Sequence, residues 1–133
     1  MIYALDTNII SYMLRKDAAV IARYRQEADL GHEFAILPIV HYEIERWLLA
    51  QNYKKMLIQF NLLCQAAEQV EFDQQVWRQA ALIYAALSQS GELIDDADIF
   101  IASFCLVHGY SLVTNNTRHF TRINGLHIVK WIE

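Results

Sequence analysis

A chain of 133 residues, 55% hydrophobic and 20% charged, has the length and composition of one globular domain with its own core. Its net charge of −4 argues against a protein that coats nucleic acid nonspecifically, because neutralising phosphate needs a surplus of Lys and Arg. It leaves room for an enzyme whose cleft gathers carboxylates around a divalent metal, which then meets the phosphate.

The opening MIYALDTN carries an acid in place of the basic flank and small-residue cleavage site of a secretory signal, so the protein is expected in the cytoplasm. Residues 2–5, IYAL, form a short apolar run that stops at Asp6, and Asp6-Thr7-Asn8 offers side chains suited to capping a helix, which predicts strand, turn, helix. Helical spacing over 17–30 runs through Ala18, Ile21, Ala22 and Tyr24 to a stop at Gly31, and a second strand is expected over Phe34 to Leu37. Pro38 suits the first turn of the next helix, where Val40, Ile44, Trp47 and Leu48 recur at helical spacing with Glu43 beside the stripe. Amphipathic helices follow over 53–66 and 73–89, with a brief strand expected at Val70 to Phe72.

After Gly91, LIDDADIFIASFCLVHG reads as an acidic start to an almost wholly apolar helix ending at Gly109, as for a helix packed on several sides. Tyr110 to Val113 and Leu126 to Val129 are the remaining expected strands. Strands alternating with helices indicate an α/β domain with a mostly parallel sheet and helices on both faces. No linker signal or internal repeat divides it, so residues 1–133 are expected to form a single domain, and every apolar run is broken before the roughly 18 residues a membrane span needs. Cys64 and Cys105 sit in apolar helical patterns without CxxC spacing and read as packing residues.

Ligands of open α/β sheets bind beyond the carboxyl ends of the strands. Two polar triplets, Asp6-Thr7-Asn8 and Thr114-Asn115-Asn116, fall at such ends, and Glu43 and Asp98 lie near the starts of helices that can face the same edge. Three carboxylates in one cleft repel, which raises their pKa values unless a cation joins them. Mg²⁺ or Mn²⁺ takes oxygen ligands and keeps water positions open for phosphate and an attacking water, which points to phosphodiester hydrolysis. Each acid also has a plainer reading: Asp6 as a helix cap, Glu43 and Glu45 as solvated surface residues, and Asp95, Asp96 and Asp98 as complements to a helix dipole. Asp98 resists it, since Ile99, Phe100, Ile101 and Ala102 carry that segment into the core, where an unpaired carboxylate is costly.

These segments also resemble the PIN-domain ribonucleases, specifically the VapC-type toxins of type II toxin–antitoxin pairs. LDTNIIS is similar to the family's first acidic motif, with the first metal ligand at Asp6 and a hydroxyl at Thr7; VHYEIERW is similar to the helix bearing the second acid, at Glu43. GELIDDADIFIASFCLVHGYSLVTNNTRHFTRINGL is similar to the C-terminal signature, with the third acid at Asp98 and the fourth polar position at Asn116. Many members carry aspartate at that fourth position, so Asn116 implies weaker hold on a second metal, and Asp96 is a possible extra ligand. The resemblance implies a three-layer α/β/α PIN fold with four to five strands, Mg²⁺ or Mn²⁺ dependence, a homodimer, and neutralisation by a VapB-type antitoxin. It further implies cleavage of structured RNA, with the tRNA anticodon loop favoured.

Asn8 and Asn115 are expected to support the ligands, and Arg118 and Arg46 to reach phosphate or pair with a carboxylate. His41 and His119 are expected behind the ligands, since the histidines show no HxH or HExxH metal spacing. Tyr42, Trp47, Leu49, Tyr53, Met56 and Phe60 suggest an apolar groove for a partner, or ordinary core. Two competing functions are a catalytically inactive binding module of the same fold and a magnesium phosphatase with Asp6 as nucleophile, though the second aspartate such phosphatases use is here Asn8.

Overall fold

A computed structural model describes residues 1–132. In chain order its elements are β1 (Ile2–Leu5), α1 (Thr7–Leu14), α2 (Ala18–Asp29), β2 (Glu33–Ala35), α3 (Pro38–Ala50), α4 (Lys54–Ala66), α5 (Gln74–Ser90), α6 (Asp96–His108), β3 (Ser111–Val113), α7 (Thr117–Phe120) and β4 (Ile128–Val129). The four strands form one parallel sheet in the order β2-β1-β3-β4. Helices flank it, because a parallel sheet needs crossover connections and both its faces must be covered.

Burial explains the apolar runs. Ala4, Leu5, Leu112 and Val113 on the two central strands are fully buried, and α6 carries Ile99, Ile101, Ala102, Phe104 and Cys105 into the same core. Helix α5 packs against α6, and the Ser103 hydroxyl donates to the Val76 carbonyl, so the one hydroxyl buried in the middle of α6 is satisfied. Asp17 and Asp73 cap α2 and α5 by accepting from the backbone N–H groups of Val20 and Val76. Gly109, at φ +71°, ends α6 in the left-handed conformation that glycine adopts without strain, and the chain turns there into β3.

Several expectations shift. The second strand covers Glu33–Ala35 instead of Phe34 to Leu37, because Leu37 already serves as the N-cap of α3. Val70 to Phe72 form no strand; a single parallel bridge pairs Ala35 with Glu68 instead, with the Glu68 N–H donating to the Phe34 carbonyl at 2.7 Å. One bridge leaves no alternating pattern in the sequence, which is why it escaped. The last strand is shorter than Leu126 to Val129, and α7 follows Asn116 as an additional four-residue helix. No helix among the described residues is long and apolar enough to cross a membrane.

Candidate active site

The parallel pairing of β1 with β3 sets Leu5 against Val113, so Asp6 and Thr114, one residue further on, emerge side by side. The Asp6 N–H donates to the Val113 carbonyl at 2.9 Å, extending the ladder by one bond and fixing the turn. Asp6 is the N-cap of α1, and its Oδ1 accepts from the Thr7 N–H at 2.8 Å. Its Oδ2 accepts from the Thr114 hydroxyl at 2.6 Å and from Asn8 Nδ2 at 3.3 Å. All these partners are neutral. Burial pushes the Asp6 carboxyl up to about 6, the hydrogen bonds from Thr114 and Thr7 oppose the rise, and the charges of Asp98 and Glu43 add to it.

Glu43 comes from the second turn of α3, where its Oε1 accepts from the Thr7 hydroxyl at 2.9 Å. Asp98, in the first turn of α6, places Oδ2 at 3.0 Å from His119 Nδ1. The same nitrogen lies 3.2 Å from Asn116 Nδ2, while the Asn116 N–H donates to the Thr114 hydroxyl at 2.9 Å. Asn115 closes the rim by donating its N–H to Asn8 Oδ1 at 3.2 Å. A continuous polar chain therefore runs from Asp6 through Thr114, Asn116 and His119 to Asp98.

Asp6, Thr7, Asn8, Glu43, Asn115, Asn116 and Asp98 thus meet at one sheet edge. As the side chains stand, no three His, Cys, Asp or Glu groups among the described residues are close enough to hold one ion. Glu43 is turned to the Thr7 hydroxyl and Asp98 to His119, so a shared ion requires these two carboxylates to rotate off their partners. The donor chemistry itself fits a hard divalent cation: carboxylate and amide oxygens, with no Lys or Arg bonded to the three acids among the described residues.

Other expected residues fall elsewhere. Arg46 stacks over the Tyr42 ring at 5.1 Å instead of pairing with a carboxylate, because Tyr42 lies one turn back on the exposed face of α3. His41 packs against the Phe60 ring at 5.1 Å and does not join the acids. Asp95 and Asp96 are exposed at the start of α6, and Arg118 is exposed on α7. Phe60 is fully buried and belongs to the core, whereas Leu49, Tyr53, Ile58 and Leu62 are exposed. Thr114, which the sequence marks only as part of a polar triplet, proves to be the hydroxyl that links Asp6 to Asn116.

The fold and the acid-lined strand edge define a class, and the chain belongs to the PIN-domain family, whose profile matches residues 3–126. Within that family its relatives are VapC ribonucleases. It is 33% identical over 110 residues to Ribonuclease VapC1 of Methanocaldococcus jannaschii, covering 80% of this chain and 78% of the relative. Ribonuclease VapC1 of Haemophilus influenzae (strain R2866) is 28% identical over 133 residues, with 98% of each chain covered. Among solved structures, VapBC2 from Rickettsia felis bound to a DNA fragment from their promoter superposes with a TM-score of 0.90 at 26% identity, covering 99% of this chain and 100% of that one.

Proposed function

We propose that this chain is a divalent-metal-dependent endoribonuclease, the toxin of a VapBC-type pair, which hydrolyses RNA phosphodiester bonds, with the tRNA anticodon loop as its target. The observation that carries the reading is a buried Asp6 bonded only by neutral donors at the strand edge where Glu43 and Asp98 also arrive. Asp6, Glu43 and Asp98 would hold Mg²⁺ or Mn²⁺, with Asn116 beside them; a bound ion supplies Lewis acidity toward a phosphoryl oxygen and lowers the pKa of water.

The chain's own groups have separable tasks. Thr7, Asn8 and Thr114 lock the Asp6 carboxylate in one orientation, and Thr7 also holds Glu43, so one turn positions two acids. Glu43 or Asp98 orients the attacking water and takes its proton. Arg118, exposed on α7 next to Asn116, contacts the RNA backbone. Leu49 on α3, Tyr53 at the cap of α4, and Ile58 and Leu62 on α4 are exposed and suit the apolar face of an antitoxin helix, and a homodimer is expected from the family. The phosphatase alternative is disfavoured because the second aspartate it needs is here Asn8, whose amide donates to Asp6 Oδ2 and cannot act as an acid–base carboxyl.

The test is purified protein incubated with total cellular RNA in Mg²⁺ or in EDTA, followed by mapping of the new ends. Discrete cuts in a tRNA loop that vanish in EDTA are expected. No cleavage, or cleavage indifferent to EDTA, contradicts the proposal.

A further inference from the structure

We propose that two arginines held over aromatic rings beside Glu43, Arg15 on Trp47 and Arg46 on Tyr42, are platforms for unpaired nucleobases on either side of the scissile phosphate. The inference rests on the ribonuclease reading above and names what that site binds: a single-stranded RNA segment whose bases are turned outward.

Both platforms are built around α3. Successive residues of a helix turn by about 100°, so from Glu43 the side chains of Tyr42 and Arg46 depart to one side, at about 100° and 60°, and Trp47 to the other, at about 40°. The Arg46 guanidinium stands 5.1 Å from the centre of the Tyr42 ring. The Arg15 guanidinium stands 5.2 Å from the centre of the Trp47 ring and reaches it from the C-cap of α1, the helix whose Thr7 hydroxyl bonds Glu43. Glu43 therefore lies between two ordered cations. Both arginines are exposed, and neither is in an ion pair among the described residues. The ring orders each guanidinium and leaves its solvent side open, and a guanidinium plane is a surface on which a nucleobase stacks.

Charge points the same way. Arg15, Lys16, Arg46, Lys54 and Lys55 are five of the 11 Lys and Arg residues in a chain of net charge −4, all exposed around the end of α1, the second half of α3 and the start of α4, which pack together. The Tyr53 ring stands perpendicular to that of Trp47 at 6.0 Å and brings Lys54 and Lys55 to the Arg15 platform. Glu45 leaves α3 about 200° round from Glu43, toward Cys64. A single strand uses such a surface fully, with phosphates on the ammonium groups and bases on the guanidinium planes. An acidic peptide would meet only the N–H edges and gain nothing from the rings beneath.

The probe is a short, unstructured, fluorescently labelled oligoribonucleotide, compared with a strand of the same length whose central riboses lack bases. Anisotropy titrations are run in EDTA at one fixed salt concentration on wild type, Arg15→Lys, Arg46→Lys and the double variant, since lysine keeps the charge and loses the plane. Wild type is expected to bind the base-bearing strand roughly tenfold or more tighter than the abasic one. The double variant should lose most of that difference while binding the abasic strand unchanged, and in Mg²⁺ it should raise KM with kcat little changed. Equal wild-type affinity for the two strands overturns the platforms even if a variant folds poorly. A base preference that survives in the double variant, or a loss confined to kcat, overturns them too. Wild type that shows the base preference yet cuts no RNA in Mg²⁺ overturns the nuclease reading and leaves the stacking platforms standing.

Discussion

Glu27 and Asp6 are the two buried carboxylates among the described residues, 6% and 4% exposed, and both lie against β1. Glu27 reaches it from α2: its Oε2 accepts from the Tyr3 hydroxyl at 3.3 Å and lies 3.5 Å from His32 Nε2, and its Oε1 accepts from Arg23 Nε at 3.0 Å. Asp6, at the opposite end of the strand, has neutral donors only and two further acids nearby. Both carboxylates are desolvated, but only Glu27 has a cation built into the fold. An acid completed by its own chain serves structure; one left short of positive charge is where an external cation gains most, and that is the end of the sheet where the catalytic proposal falls.

The contrast predicts opposite phenotypes. Asp6→Asn and Asp98→Asn should each reduce RNA cleavage on the order of a thousandfold, since several kcal/mol of charge stabilisation is lost at about 1.4 kcal/mol per factor of ten, with native circular dichroism retained. Glu27→Ala should instead cost about 1–2 kcal/mol of stability in urea denaturation, because the half-exposed Arg23 rehydrates and only the Tyr3 hydroxyl loses a buried partner, leaving cleavage per folded molecule unchanged. If Glu27→Ala abolished cleavage in a folded protein, the division between the two acids would collapse.

The pH dependence of metal-free protein separates them further. The unfolded chain ionises Asp6 near 3.8, whereas the folded chain keeps its proton until about 6. Between those values the folded state binds more protons, so the Asp6 contribution makes stability fall as pH rises, with the whole penalty present above pH 6. In EDTA, Asp6→Asn should match wild type below that window and exceed it above, by up to about 3 kcal/mol. Urea midpoints of the two proteins from pH 4 to 7 measure the difference. A smaller effect is expected of Thr114→Val, which leaves the Asn116 N–H without a partner and Asp6 Oδ2 with only the longer bond from Asn8: about 2 kcal/mol in stability and roughly tenfold in kcat.

Much of this was legible because strand ends announce themselves. IYAL stops at Asp6 and SLV stops at Thr114, and once the sheet is parallel with β1 beside β3 those stops must be neighbours. Asp98 stood out as an acid entering an apolar helix. The Glu27 cluster was not legible, since residues 3, 23, 27 and 32 meet only after α2 folds back along β1, and Glu27 alone resembles any solvated helix acid. Arg46 shows the same limit. Its spacing from Glu43 permits an ion pair, but Tyr42 on the same face offers a ring that competes for the guanidinium, and helical spacing cannot rank the two. His119 was placed behind the ligands, yet its contact with both Asp98 and Asn116 depends on α7, a helix too short to leave a periodic signal.

Thermal unfolding of wild type and Asp6→Asn, each in EDTA and in saturating Mn²⁺ at pH 7.5, addresses the charge deficit itself. Wild type should melt below Asp6→Asn in EDTA and rise by several degrees with the ion, while Asp6→Asn should not respond. A variant that melts below wild type in EDTA, or an ion-induced rise equal in both proteins, would mean that Asp6 is already balanced by its hydrogen bonds and that no cation is needed there.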